Sequence, residues 1–107
     1  MFDCSRNGVL KVEAVKEMIR QAALMGLNWL LLYTEDTYEV EGYPCFGALR
    51  GRYTKEEIRE CDAYAAQFGI EMIPCIQTLA HLRTALRWPA MEKYRDDADI
   101  LLAEEER

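Results

Sequence analysis

The chain has 107 residues, half of them hydrophobic, and a formal charge of −6. That length holds at most one ordinary domain, and the acidic balance argues against nucleic acid, whose phosphates need clustered Lys and Arg. No apolar run approaches the length that spans a bilayer, and no signal-peptide pattern opens the chain, so a cytoplasmic protein is the default expectation. The four cysteines (Cys4, Cys45, Cys61, Cys75) show neither Cys-x-x-Cys spacing nor a nearby histidine and read as reduced and structural.

In chain order, Met1-Phe2 is a short apolar stretch that runs into the polar exit Asp3-Cys4-Ser5-Arg6-Asn7. Residues 12–25 then place Val12, Val15, Met18, Ile19, Ala22 and Ala23 on one face, with Lys11, Glu13, Lys16, Glu17 and Arg20 on the other. That spacing predicts an amphipathic helix. Gly26 suits the left-handed position that ends such helices. The apolar strand Trp29-Leu30-Leu31-Leu32-Tyr33 follows and exits at Thr34-Glu35-Asp36. Residues 35–53 form a long loop carrying Tyr38, Tyr43, Phe46 and Tyr53. Loops of this length inside a domain are usually functional or disordered, and four aromatics argue against disorder. At least half of these rings are expected to pack the loop onto the body of the fold.

The same unit then repeats. Thr54 and Glu57 form a capping-box pattern that opens a helix over residues 55–68, burying Ile58, Cys61, Ala65 and Phe68. Gly69 stops it, and Met72-Ile73-Pro74-Cys75-Ile76 reads as a third strand that exits at Gln77-Thr78. Pro74 is awkward there, because proline removes a ladder donor. Residues 82–87 predict a short helix ended by Trp88-Pro89, and residues 99–103 a short apolar segment. The acidic run 104–106 reads as the first turn of another helix.

Strand and helix in strict alternation make the fold class α/β with a parallel sheet. About three βα units fit, well short of the roughly 250 residues of a closed eight-stranded barrel. The expectation is therefore a single incomplete domain over 1–107, cut at both ends from something larger. In parallel sheets ligands sit beyond the carboxyl ends of the strands, where Asp3, Arg6, Glu35, Asp36 and His81 fall. Each has a plainer use: Arg6 pairing with Asp3 or Glu35, Glu35-Asp36 solvating a loop, His81 sitting satisfied in a core. Together, an arginine, carboxylates and a histidine from three strand exits suit a polar small molecule. The flat, polar-tipped rings of the loop favour a sugar, with Arg6, Asp3 and Tyr38 as the substrate-binding candidates.

The runs Asp3-Cys4-Ser5-Arg6-Asn7, Leu32-Tyr33-Thr34-Glu35-Asp36-Thr37-Tyr38 and Ile73-Pro74-Cys75-Ile76-Gln77-Thr78-Leu79-Ala80-His81-Leu82 resemble glycoside hydrolase family 20. These are the β-N-acetylhexosaminidases, which remove terminal N-acetylhexosamine (GlcNAc or GalNAc), and the resemblance covers nearly the whole chain in order and spacing. It implies the first three βα units of a (β/α)8 TIM barrel, an N-acetylhexosamine-containing glycan as substrate, and the rest of the barrel as a necessary partner. It implies that Arg6 grips ring hydroxyls with Asp3 in support, and that Glu35 or Asp36 joins His81 in a hydrogen-bonded relay to the general acid. A carboxylate that fixes an imidazole lets the imidazole tune and orient the acid. Here Leu79-Ala80-His81 stands where the family has Pro-Gly-His.

The family's retaining reaction is substrate-assisted: the acetamido oxygen attacks the anomeric carbon in place of an enzyme nucleophile, an exception to the two-carboxylate scheme. An Asp-Glu pair ending strand four orients the acetamide and protonates the leaving oxygen. No Asp-Glu dipeptide occurs in this chain, so the pair is expected beyond Arg107 and the chain alone is expected to be inactive. No cofactor and no metal are expected. Two rivals remain at this level: a metal-dependent sugar-isomerase-like barrel fragment with Glu35, Asp36 and His81 as ligands, and a non-catalytic carbohydrate-binding module that uses the aromatic loop.

Overall fold

The computed structural model describes residues 1–6 and 8–103; Asn7 and the helical turn expected at 104–106 lie outside the described residues. Strand β1 (Phe2–Asp3) leads to helix α1 (Val12–Leu24), β2 (Trp29–Glu35), α2 (Lys55–Ala66) and β3 (Glu71–Ile76). A single-turn helix α3 (Arg83–Leu86) and a 3-10 helix (Pro89–Tyr94) follow. The strands form one parallel sheet in the order β1-β2-β3, with Phe2 opposite Leu32 and Leu32 opposite Pro74. Pro74 keeps its place in β3, in register with Leu32 of β2.

The repeat seen in the sequence is structural in detail. Gly26 (φ 74) and Gly69 (φ 69) both occupy the left-handed region. Gly26 N donates to Ala23 O and Leu27 N to Ala22 O; Gly69 N donates to Ala66 O and Ile70 N to Ala65 O. Both helices thus end in the same Schellman motif, which satisfies their last carbonyls and turns the chain into the next strand. Helix α2 also begins as its sequence predicts. Glu57 N donates to Thr54 Oγ1, and Thr54 N donates back to the Glu57 carboxylate.

Alternation along β2 sends Leu30 and Leu32 toward the helices, where they pack with Val15, Ile19 and Ala22 of α1 and Cys61 and Ala65 of α2. Phe68 is the exception to the expected helix face: it lies past the end of α2 and is 42% exposed. A second apolar cluster, Leu82, Leu86 and Met91, is roofed by Tyr43 and Phe46 of the long loop and by Tyr94 and Leu101. Residues 99–103 add no strand to the sheet. Leu101 makes an isolated antiparallel bridge to Arg95, and Asp99 accepts from the backbone N of Arg83 (3.1 Å). Among the described residues no helix is long and apolar enough to cross a membrane.

The chain is therefore an α/β unit with three parallel strands and helices on one face, consistent with part of a (β/α)8 barrel.

Candidate active site

The carboxyl ends of the three strands open into a cleft of about 590 Å³ lined by Ser5, Arg6, Glu35, Arg50, His81, Arg83, Thr84, Arg87, Ala98 and Asp99. Glu35 closes β2 at a bulge, where the register with β3 slips between Tyr33 and Glu35. Bulges re-aim side chains at barrel rims. Glu35 is only 4% exposed yet reaches the cleft, where its Oε1 accepts from Arg6 Nε (3.2 Å) and from the Tyr33 hydroxyl (2.9 Å). Gln77 Nε2 in turn donates to the Tyr33 hydroxyl (3.0 Å). Burial, followed by this bond to Glu35, pushes the Tyr33 hydroxyl up from its ordinary value, so Tyr33 stays neutral and donates.

Two of the cleft residues hold unusual backbone. Glu35 (φ 48) and His81 (φ 59) both lie in the left-handed region without being glycine. Such positions cost on the order of 1–3 kcal/mol and gather at functional sites. His81 makes no hydrogen bond among the described residues, so its ring is free to take one.

Asp36, the neighbour of Glu35, has a different role. It is 1% exposed and pairs with Arg50, which also donates to the carbonyl of Ser5. Asp36 Oδ2 and Arg50 Nε are buried without partners among the described residues. Burial pushes the Arg50 guanidinium down from its ordinary value, with Glu35 opposing and Arg87 and Arg6 adding to the shift. Arg50 lines the inner wall of the cleft with Asp36 buried behind it, and the pair ties the end of β1, the end of β2 and the long loop together.

Asp3 is exposed, does not line the cleft, and accepts from Ser5 N (2.8 Å) and Ser5 Oγ (2.6 Å). Tyr38 also lies outside the cleft. Its ring packs against Phe46 (centroids 5.5 Å apart) and lines hollows beside α2 and β3. The other loop rings serve the fold: Tyr43 Oη is 2.8 Å from Tyr94 Oη, and buried Tyr53 donates to Leu10 O (2.7 Å). Among the described residues no group of three or more His, Cys, Asp or Glu gathers to hold a metal ion.

Of the sequence candidates, the structure brings Arg6, Glu35 and His81 to one cleft and leaves Asp3, Asp36 and Tyr38 out of it. Against known proteins, the chain matches glycosyl hydrolase family 20, catalytic domain, over residues 1–103. The chain belongs to that family.

Its relatives in family 20 include a β-hexosaminidase of Vibrio furnissii, 34% identical over 92% of this chain and 20% of that protein. The solved N-acetyl-β-hexosaminidase of Streptomyces plicatus superposes with a TM-score of 0.76 at 27% identity, over 92% of this chain and 22% of that one. A family 20 exo-β-N-acetylglucosaminidase of Vibrio harveyi, solved in complex with N-acetylglucosamine, gives 0.71 at 29% identity over 79% and 17%. The chain spans about a fifth of the length of these relatives. Within this family 20 chain, sequence reasoning missed Tyr33, Arg50, Arg83 and Arg87. Only Arg50 left a trace, standing between Gly47 and Gly51 where the loop must turn.

Proposed function

We propose that this chain is the substrate-holding part of a β-N-acetylhexosaminidase that cleaves terminal N-acetylhexosamine by substrate-assisted, retaining catalysis. In this reading Arg6 holds ring hydroxyls of the terminal sugar, and Glu35 and His81 form the relay toward the general acid. Glu35 is preferred to Asp36 because Glu35 opens to the cleft whereas Asp36 is committed to Arg50. Asp3 supports the strand exit through Ser5, and Tyr38 shapes the loop beside the cleft. The observation that carries the reading is the convergence of Arg6, Glu35 and His81 from three strand exits on one cleft. The acid is left to residues outside this set, since the chain has no Asp-Glu dipeptide.

The test has two parts on the purified chain. Binding of N-acetylglucosamine, followed by NMR shifts, is expected and should weaken at least about tenfold in Arg6→Ala, the loss of charge-assisted hydrogen bonds. A chromogenic N-acetylglucosaminide should show no turnover. Binding that survives Arg6→Ala but fails in Tyr38→Ala or Tyr43→Ala would favour a carbohydrate-binding module, and turnover by the chain would overturn the assignment of the acid elsewhere.

A further inference from the structure

One oxygen of Glu35 is shared by two donors of different kinds. Its Oε1 meets Nε (3.2 Å) and Nη2 (3.0 Å) of Arg6 and the hydroxyl of Tyr33 (2.9 Å). Arg6 comes from the exit of β1 and lines the cleft, whereas Tyr33 belongs to β2 and is not among the cleft-lining residues. Alternation along β2 puts Tyr33 and Glu35 on one face, opposite that of Leu32. The hydroxyl therefore reaches the carboxylate two residues on.

The direction of the Tyr33 bond is fixed from its other side. Gln77 Nε2, at the exit of β3, donates to the Tyr33 hydroxyl oxygen (3.0 Å). An amide nitrogen only donates, so the hydroxyl accepts there and turns its one proton to Glu35. Burial, then the bond to Glu35, raises the phenol above its ordinary value and keeps that proton on, with Gln77 and Arg6 opposing. Each link in this series is a contact already made between side chains at the ends of β2 and β3.

We propose that Tyr33 is a positioning residue of the site: it holds Glu35 Oε1 while Arg6 turns from that oxygen to the ring hydroxyls of the sugar, and Gln77 aims its hydroxyl. This rests on the hexosaminidase reading above, in which Arg6 grips the terminal ring and Glu35 joins the relay. A guanidinium that leaves an enclosed carboxylate with no other donor strands a bare charge. Tyr33 supplies the second donor, so Glu35 keeps its charge and its place as Arg6 changes partner.

The test uses Tyr33→Phe, which removes the hydroxyl and keeps the ring, with N-acetylglucosamine affinity by NMR and urea unfolding as readouts. Affinity is expected to fall roughly three- to tenfold, on the scale of one lost hydrogen bond. In the Glu35→Gln background the same change should leave affinity as it was, because a neutral amide does not hold Arg6 back. A loss through general loosening would persist in that background and overturns the inference. Gln77→Leu should weaken binding in the same direction and by less, since the hydroxyl remains but is no longer aimed; it carries the comparison if Tyr33→Phe does not fold. Unfolding gives a reading that needs no sugar. Arg6→Ala and Tyr33→Phe together should lose more than the sum of the single losses, because each donor covers for the other. Unchanged affinity in Tyr33→Phe, or strict additivity in unfolding, overturns the inference and leaves the hexosaminidase reading standing. Failure of the native chain to bind N-acetylglucosamine overturns both.

Discussion

The rim of the cleft and the layer beneath it are built from adjacent residues and held in opposite ways. At the rim, Glu35 meets an Arg6 whose side chain is 61% exposed, and both line the open cleft. One residue further on, Asp36 meets Arg50 under the loop, where both partners are largely enclosed and each retains a polar atom without a partner among the described residues. The chemistry is the same, a carboxylate and a guanidinium, and the surroundings decide its use. A pair with one partner largely in water is held less firmly and can exchange that partner for a ligand. A buried pair is costly to break, because the survivor is left as a bare charge.

The largest expected effect follows directly. Asp36→Ala should lower unfolding stability by about 3–5 kcal/mol, the loss seen when one partner of a buried pair is removed. Arg6→Ala should cost less than Asp36→Ala, because Glu35 keeps the Tyr33 hydroxyl as a donor and lines the open cleft, while weakening sugar binding. Urea midpoints at constant m-value measure both. Equal losses would break the distinction between rim and underlayer.

How much of this was legible in the sequence depends on the range of the contact. The Schellman ends at Gly26 and Gly69 and the Thr54–Glu57 box are local patterns, and each stands where periodicity and residue type put it. The strand exits were legible for the same reason: alternation of helix and strand assigns one end of a parallel sheet to function. Arg50 was not, because its partners lie fourteen and forty-five positions away, and no local rule joins an arginine in a loop to Ser5 or Asp36. The choice between Glu35 and Asp36 also needed coordinates, since the bulge that turns Glu35 into the cleft has no signature in Thr34-Glu35-Asp36. The place of Tyr38 also needed coordinates: its ring packs against Phe46 and lines hollows beside α2 and β3 rather than the cleft.

A smaller effect should come from the loop that carries Arg50 to the inner wall of the cleft. Gly47 sits at φ 65, and a Cβ there would clash with Arg52 Cβ and meet Gly51 O at 2.8 Å. Its carbonyl accepts from the backbone N of both Arg50 and Gly51 (3.2 Å each), so this turn sets where Arg50 points. Gly47→Ala should cost about 2–3 kcal/mol from left-handed strain and overpacking. The doubly substituted Gly47→Ala/Asp36→Ala chain should lose less than the sum, since both changes act on one interaction. Strict additivity would mean that the loop and the buried pair are independent.

The smallest effect tests the residue shared by both layers. Ser5 gives its carbonyl to Arg50 below, while its side chain and backbone N hold Asp3 at the surface. The Ser5 hydroxyl, then the Ser5 backbone N, hold the Asp3 carboxyl below its ordinary value; burial opposes them and the charge of Arg6 adds to the lowering. A carboxyl depressed in the folded state takes up its proton later than in the unfolded chain, whose value is about 3.9. Its contribution to stability is therefore complete above that pH and is lost as pH falls through the lower folded value. In Ser5→Ala the Asp3 titration, followed by carboxyl carbon NMR, should move up toward the ordinary value, and the acid-side loss of stability should shrink with it. The Asp36–Arg50 pair should be untouched, because Arg50 uses the Ser5 carbonyl, which alanine keeps. An unmoved Asp3 titration would mean that the Ser5 backbone N, which alanine keeps, and the charge of Arg6 hold the carboxyl without the hydroxyl.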